Sequence, residues 1–301
     1  MLDDSAQNRK HVGIRMHDAA AMARPKRTEH AIMLQIGCQT YTWEMLGDHW
    51  TGSPDDLLDA IAAGGYSGLE ITDTMIGAYA GKPEAFGRAL AARGLELAAF
   101  ACASDSGYTE PDGLERDLEM VNRALDFVAA FPGAVLSLGS ATIISPGDLD
   151  RKFAAAARFY NAAGELGVRA GVSVGVHPSS HHNTLLFSRA DYDRLFALLD
   201  PGGIGWVPDT GHILRGQMDI LDTLTTYRDR IRYLHLKDVD ANGDWRMLGD
   251  GICDTRAVVD IVAASPNFNG WLVLEEESDI AAADPARAVQ TNRETMRTLL
   301  A

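Results

Sequence analysis

The sequence predicts an α/β chain forming one (β/α)8 barrel, and three observations carry that reading. Short β-rich apolar runs alternate eight times with longer runs of helical period. The alternating region spans roughly 270 residues, the size of one such barrel. The Gly-rich phosphate turn expected after the first strand of a doubly wound sheet is missing from Ile36-Gly37-Cys38-Gln39.

The first strand is read at 34–41. A helix over 54–64 opens on Ser53-Pro54-Asp55-Asp56, with Pro54 in the first turn and acids facing the helix dipole. Further strands are read at 68–72, 95–102, 134–139, 172–176, 204–207, 231–236 and 271–274. Helical runs at 82–93, 114–130, 149–166, 190–199 and 255–264 lie between them. Strands separated by helices pair in parallel, because a parallel neighbour needs a crossover. Residues 33–301 therefore form the barrel domain. Residues 1–32 are polar and net basic and lack an apolar period, so they read as a disordered extension or as translation starting ahead of Met33. Their only apolar stretch, 19–23, is too short for a signal peptide.

Composition bounds the function. The chain has 301 residues and carries 27 Lys plus Arg against 42 Asp plus Glu, a net charge of −15. Such a surface repels polyanions, so nucleic acid is not an expected partner. No run approaches the ~18 apolar residues of a membrane span. Cys38, Cys102 and Cys253 form neither a CxxC nor a close pair, which fits a reducing cytoplasm and offers no thiolate metal site.

In a (β/α)8 barrel the chemistry sits where the strands end. Strand five ends in His177-Pro178, strand six in Asp209-Thr210-Gly211-His212, strand seven in His235-Leu236-Lys237-Asp238 and strand eight in Glu275-Glu276-Glu277. Singly, each has a structural explanation: a hydrogen-bonded histidine, a helix-capping Asp-Thr-Gly turn, a solvated acidic run. Together they place imidazole, carboxylate, imidazole and carboxylate on one rim. His177, Asp209, His235 and Glu275 are thus the expected ligands of a divalent cation, with Mn2+ first and Co2+, Zn2+ or Mg2+ also suited.

From Met33 onward the chain resembles the xylose isomerase-like TIM barrel superfamily, the sugar phosphate isomerase/epimerase group that includes ketose 3-epimerases and inosose dehydratase. The resemblance rests on Gly68-Leu69-Glu70, Asp209-Thr210-Gly211-His212, Tyr233-Leu234-His235-Leu236-Lys237-Asp238, Leu248-Gly249-Asp250-Gly251 and Gly270-Trp271-Leu272-Val273-Leu274-Glu275. It implies metal ligation by Asp209, His235 and Glu275. The strand-five position holds His177 where the epimerases hold Glu, and His-Pro there resembles the inosose dehydratase branch.

The resemblance implies a metal-dependent carbohydrate isomerase or epimerase working through a metal-stabilised enediolate, with Glu275, His212 and Lys237 as acid/base candidates. The runner-up is a lyase: inosose-type dehydration, or β-elimination from a 3-keto-glycoside. A non-catalytic subunit of a hetero-oligomeric deglycosylating complex is the reading from another class. Glu70, Trp43 and His181 are the expected substrate contacts. Glu70 is so read from the family, Trp43 because Tyr41, Trp43 and Trp50 offer faces for a sugar ring, and His181 because it comes soon after His177. The expected partner is a sugar, cyclitol or keto-glycoside, and self-association is compatible with the sequence.

Overall fold

The computed structural model describes residues 33–181 and 183–301; residues 1–32, where the disordered extension is expected, and His182 lie outside the described residues. The first half of the chain runs β1 (Gln35–Gln39), α1 (Tyr41–Glu44), α2 (Pro54–Ala63), β2 (Gly68–Thr72), α3 (Pro83–Ala91), β3 (Glu96–Cys102), α4 (Leu114–Val128) and β4 (Val135–Leu138). Next come α5 (Leu149–Ala170), β5 (Ser173–Val176), α6 (Arg189–Leu198), β6 (Gly205–Trp206), α7 (Thr210–Arg215), α8 (Ile220–Tyr227) and β7 (Leu234–Leu236). A hairpin, β8 (Asp238–Val239) and β9 (Trp245–Arg246), precedes α9 (Thr255–Ala263), β10 (Trp271–Leu274), α10 (Asp279–Ala283) and α11 (Pro285–Leu300).

Eight parallel strands form one curled sheet in the order β6-β5-β4-β3-β2-β1-β10-β7. Its end strands meet through two parallel bridges, Trp206 with Ile231 and Asp209 with His235. The second of these sets two of the expected ligands side by side. All eight predicted strands are present, most of them shortened by a residue or two at their ends, where pairing stops before the apolar run does.

Local chemistry explains the helix starts. Ser53 and Asp56 close a reciprocal capping box on α2, and Ser188 with Asp191 does the same on α6. Apolar residues then bury one face. On α4 these are Val121, Ala124, Leu125 and Val128, spaced three and four apart and packed on the sheet's outer side. Inside the curl, Ala98, Ala99, Val135, Val207, Tyr233, Trp271 and Val273 form a separate small core. Trp206 and Trp271 are both buried, as their places in strands predict. Among the described residues, no helix is long and apolar enough to cross a membrane.

The β8–β9 hairpin is not predicted by apolar periodicity, because each strand is two residues long. Its turn carries Asn242-Gly243, with Gly243 at φ +84°, and the Asp240 carboxylate accepts the backbone N–H of Asn242 and Asp244. Asp238 organises the loop beyond the hairpin. Its buried carboxylate accepts backbone N–H groups from Gly249, Gly251 and Cys253 at 3.0–3.1 Å. A Cβ at Gly251 would stand 2.2 Å from Asp238 Oδ1, so only glycine lets the loop close on the carboxylate. Asp238→Ala strands four backbone donors, these three and the Val239 N–H, and is expected to lower stability by about 2–4 kcal/mol, read as a lower urea midpoint with unchanged slope. An unchanged midpoint would show that the loop is satisfied elsewhere.

Candidate functional site

Four strand ends converge. His177 comes directly after β5, Asp209 stands three residues beyond β6 at the start of α7, His235 is central in β7 and Glu275 comes directly after β10. One ligand atom from each lies within 4.8 Å of the others. His177 Nε2 is 3.1 Å from His235 Nδ1 and 3.5 Å from Asp209 Oδ2, and His235 Nδ1 is 2.7 Å from Glu275 Oε2.

Asp209 divides its two oxygens between two tasks. Oδ1 caps α7 by accepting the His212 backbone N–H at 2.9 Å. Oδ2 is buried and accepts no hydrogen bond among the described residues. Its nitrogen neighbours, His177 Nε2, Lys237 Nζ and His235 Nδ1, stand at or beyond hydrogen-bond reach, at 3.5, 3.6 and 3.7 Å. A buried oxygen without a donor, facing two imidazole nitrogens and a second carboxylate, fits a divalent cation. Capping and ligation, alternatives on sequence grounds, coexist in one side chain.

Glu70 sits behind His235. One of its oxygens accepts from Gln39 at 2.8 Å; the other faces the Tyr233 hydroxyl and, at 2.7 Å, His235 Nε2. A carboxylate on the outer nitrogen holds the proton there and presents Nδ1 to the cluster. Glu70 reaches the cavity wall, yet its buried oxygens serve protein donors, so it positions His235 more directly than it offers a substrate contact.

Lys237 lies beside the cluster, 2.9 Å from Glu275 Oε1 and paired with Glu277. Its ammonium stands 4.7 Å from the Trp245 ring centroid. Burial works to lower the Lys237 pKa, but Asp209, Glu275 and Glu277 outweigh it and hold the group well above the usual lysine range. Reciprocally, burial works to raise Asp209 and Glu275, and Lys237 leads the effects that hold both well below the carboxylate range. Burial pushes Glu277 up to about 7 despite its lysine partner.

His212 is fixed differently. Its Nδ1 receives the Ser180 backbone N–H at 3.1 Å, with the Ser180 hydroxyl at 2.8 Å. A backbone N–H only donates, so the neutral ring carries its proton on Nε2, which points towards Lys237 Nζ at 3.3 Å. Burial, then Lys237, drive its pKa well below the usual histidine value. Two donors therefore converge with no acceptor between them. His212 acts as a donor here, which narrows the acid/base role expected of it.

Of these groups, Glu70, His177, His212, Glu275 and Glu277 line a cavity of about 270 Å3. The wall from β3 and β4 carries Ala101, Cys102, Ala103, Ser137, Gly139 and Ser140, without a carboxylate or imidazole, while Glu44 and Asp73 stand on the β1–β2 side. His181 is exposed at the rim and lines the cavity, where a substrate contact is expected. Trp43 is a correction. Its side chain is 3% exposed and packs in the outer core. In the single turn of α1, Tyr41 and Glu44 share the cavity face at three-residue spacing, and Trp43 points away. Glu277, Ser180 and Trp245 are site residues that sequence reasoning missed. For Glu277 a signal existed, since it is two residues beyond Glu275 and shares its side of the chain.

A family model described as xylose isomerase-like TIM barrel matches residues 58–299. The chain is 29% identical over 264 residues to an inosose dehydratase from Lactiplantibacillus plantarum, covering 78% of this chain and 84% of that protein. Among solved structures, the E. coli 3-keto-D-glucoside 4-epimerase superposes with a TM-score of 0.70 at 20% identity, covering 88% of this chain and 99% of the other. The IOLI protein with a bound zinc atom gives a TM-score of 0.70 at 13% identity, covering 88% and 98%. At these identities the structural likeness is one of fold. The match over residues 58–299, on a curled eight-stranded parallel sheet with its polar cluster at the strand ends, makes this chain a member of the xylose isomerase-like TIM barrel family.

Proposed function

We propose that the chain removes a proton next to the carbonyl of a polyhydroxylated ketone, a sugar or cyclitol, and then expels the β-hydroxyl as water. The observation that carries this reading is the buried, donorless Asp209 Oδ2 within a two-imidazole, two-carboxylate cluster, beside the converging donors of Lys237 and His212. His177, Asp209, His235 and Glu275 would hold the metal, and this mixed set suits Mn2+, Co2+ or Zn2+. When bound, a divalent cation polarises the carbonyl and acidifies the adjacent C–H.

The chain's own groups supply the rest. The Glu277 carboxylate takes the carbon-bound proton, and the electron pair of that bond moves into the carbon skeleton. Negative charge gathering on the carbonyl oxygen is met by His212 Nε2–H, held in that tautomer by Ser180. As the β C–O bond breaks, the Lys237 ammonium protonates the departing hydroxyl and recovers its proton from Glu277. The sum is loss of one water, with no redox change.

Two findings support elimination as the outcome. The L. plantarum relative, matched along most of its length, is an inosose dehydratase. The groups assigned to proton transfer, Lys237, His212 and Glu277, come from the segment after β7, from α7 and from the segment after β10, and the β3–β4 wall carries no carboxylate or imidazole for a second-face proton transfer. Isomerisation, the leading expectation from sequence, shares the first step.

The test is proton exchange in D2O with Mn2+ present, monitored by NMR over inososes, ketoses and 3-keto-glucosides. Deuterium entering a single carbon together with an unsaturated product supports dehydration. Deuterium with an isomeric sugar supports isomerisation instead. No exchange by protein with bound metal overturns the proposal for these substrates.

A further inference from the structure

A second cavity, of about 540 Å3, adjoins the first, and exposed His181 lines both. The link between them is one face of α7. His212 and Arg215 are three residues apart on that helix, and both rest on Trp245 of the hairpin. The His212 ring meets the indole edge-on at 5.4 Å, and the Arg215 guanidinium carbon stands 4.6 Å from the indole centroid. A Cβ at Gly211 would come within 2.6 Å of Trp245, so this glycine lets the indole press onto α7.

Arg215 is half-buried, and its stem packs beside Gly243. Among the described residues its guanidinium has no carboxylate partner and makes no hydrogen bond. Of the hairpin acids, Asp240 pairs with Arg246, while Asp244, which also lines the cavity, stands 4.0 Å from Arg246 and beyond ion-pairing reach of Arg215. Asn183 and Asn242 line the same cavity, and their side-chain amides are likewise uncommitted among the described residues. On a chain of net charge −15, a half-buried guanidinium held by an indole and left without an acid is set apart for an external anion.

We infer that this cavity is a subsite for an anionic substituent of the substrate, a carboxylate or a phosphate monoester, gripped by Arg215 while the carbonyl end lies at the metal cluster. The inference rests on the proposed function for what occupies the inner cavity. Such a subsite needs no Gly-rich phosphate turn, because a guanidinium replaces helix N–H groups as the anion's partner.

The test is calorimetric titration of the full chain with inorganic phosphate and with D-glucuronate, using D-glucose as the neutral counterpart. It uses the wild type, Arg215→Gln, Arg215→Lys and, as a control for loss of one positive charge, Arg256→Gln at an exposed arginine outside both cavities. Both anions are expected to bind at least about ten-fold more weakly to Arg215→Gln, to bind with intermediate strength to Arg215→Lys, and to bind unchanged to Arg256→Gln. Glucose binding should not respond to position 215. Anion binding that survives in Arg215→Gln, or that weakens equally in Arg256→Gln, overturns the subsite and places the anion elsewhere. Absence of anion binding in the wild type overturns it too. Because the readout is binding, an intact anion site without proton exchange would reject the proposed reaction and leave the subsite standing.

Discussion

Asp209→Ala is expected to lower divalent-metal affinity by at least about 100-fold and to abolish proton exchange. The substitution removes the buried oxygen that lacks a donor, and also the Oδ1 that caps α7. Metal binding should be visible as stability. At a metal concentration one hundred times Kd, the folded wild type gains about 2.7 kcal/mol, which shows as a melting temperature raised by several degrees and reversed by chelator. The alanine variant should show no such rise. Asp209→Asn separates the two tasks, since the amide oxygen can still cap the helix while the anionic ligand is gone. Cap loss alone costs about 1 kcal/mol, so Asn should melt above Ala without metal, and neither should respond to it. A full metal-induced shift in Asp209→Asn would remove this residue from the ligand set.

Lys237→Met should have the second-largest effect. Methionine keeps much of the stem's volume but leaves Asp209, Glu275 and Glu277 facing one another without their shared cation. Removing one partner of a buried ion pair costs about 3–5 kcal/mol, and this is the expected loss in metal-free protein by urea denaturation. Proton exchange should fall by about 10²–10⁴-fold. The pH dependence has a definite sign. The raised pKa of Lys237 means its contribution is fully present below the unfolded lysine value and is lost only as pH rises through the folded one. The depressed pKa values of Asp209 and Glu275 mean their contribution is present above the unfolded carboxylate value and is lost as pH falls through the folded ones. The wild-type advantage should therefore grow as pH rises through about 7, where Glu277 becomes charged, hold to about pH 9, and shrink on acidification below about pH 4. Adding Glu277→Gln to Lys237→Met should recover part of the loss, because it removes one of the stranded charges. Equal stability of wild type and Lys237→Met at neutral pH would show that the lysine is not what balances these carboxylates.

Much of this molecule is legible in its sequence for local reasons. Strand and helix periods are properties of neighbouring residues, so the alternation, the Ser53–Asp56 start of α2 and the polar residues ending strands five to eight can be read directly. The β8–β9 hairpin escapes that reading because two-residue strands have no period to detect. Trp43 is misplaced by sequence reasoning because a four-residue helix shows no amphipathic pattern, and only packing decides which of its faces meets the core. Glu277 reads as a solvated acid until Lys237, forty residues earlier, is placed against it.

What the sequence determines by itself is the barrel architecture and the four groups brought to one rim, His177, Asp209, His235 and Glu275, because strand order and strand ends derive from local pattern. The tertiary structure alone decides how each of those groups is used. It gives Asp209 one oxygen for the helix and leaves the other without a donor, sets Glu70 behind His235, fixes the His212 proton through Ser180, and stands Arg215 on Trp245 without an acid. Protonation, tautomer and pairing depend on atoms a few ångströms away in space and often tens of residues away in sequence, and only the folded chain brings those atoms together.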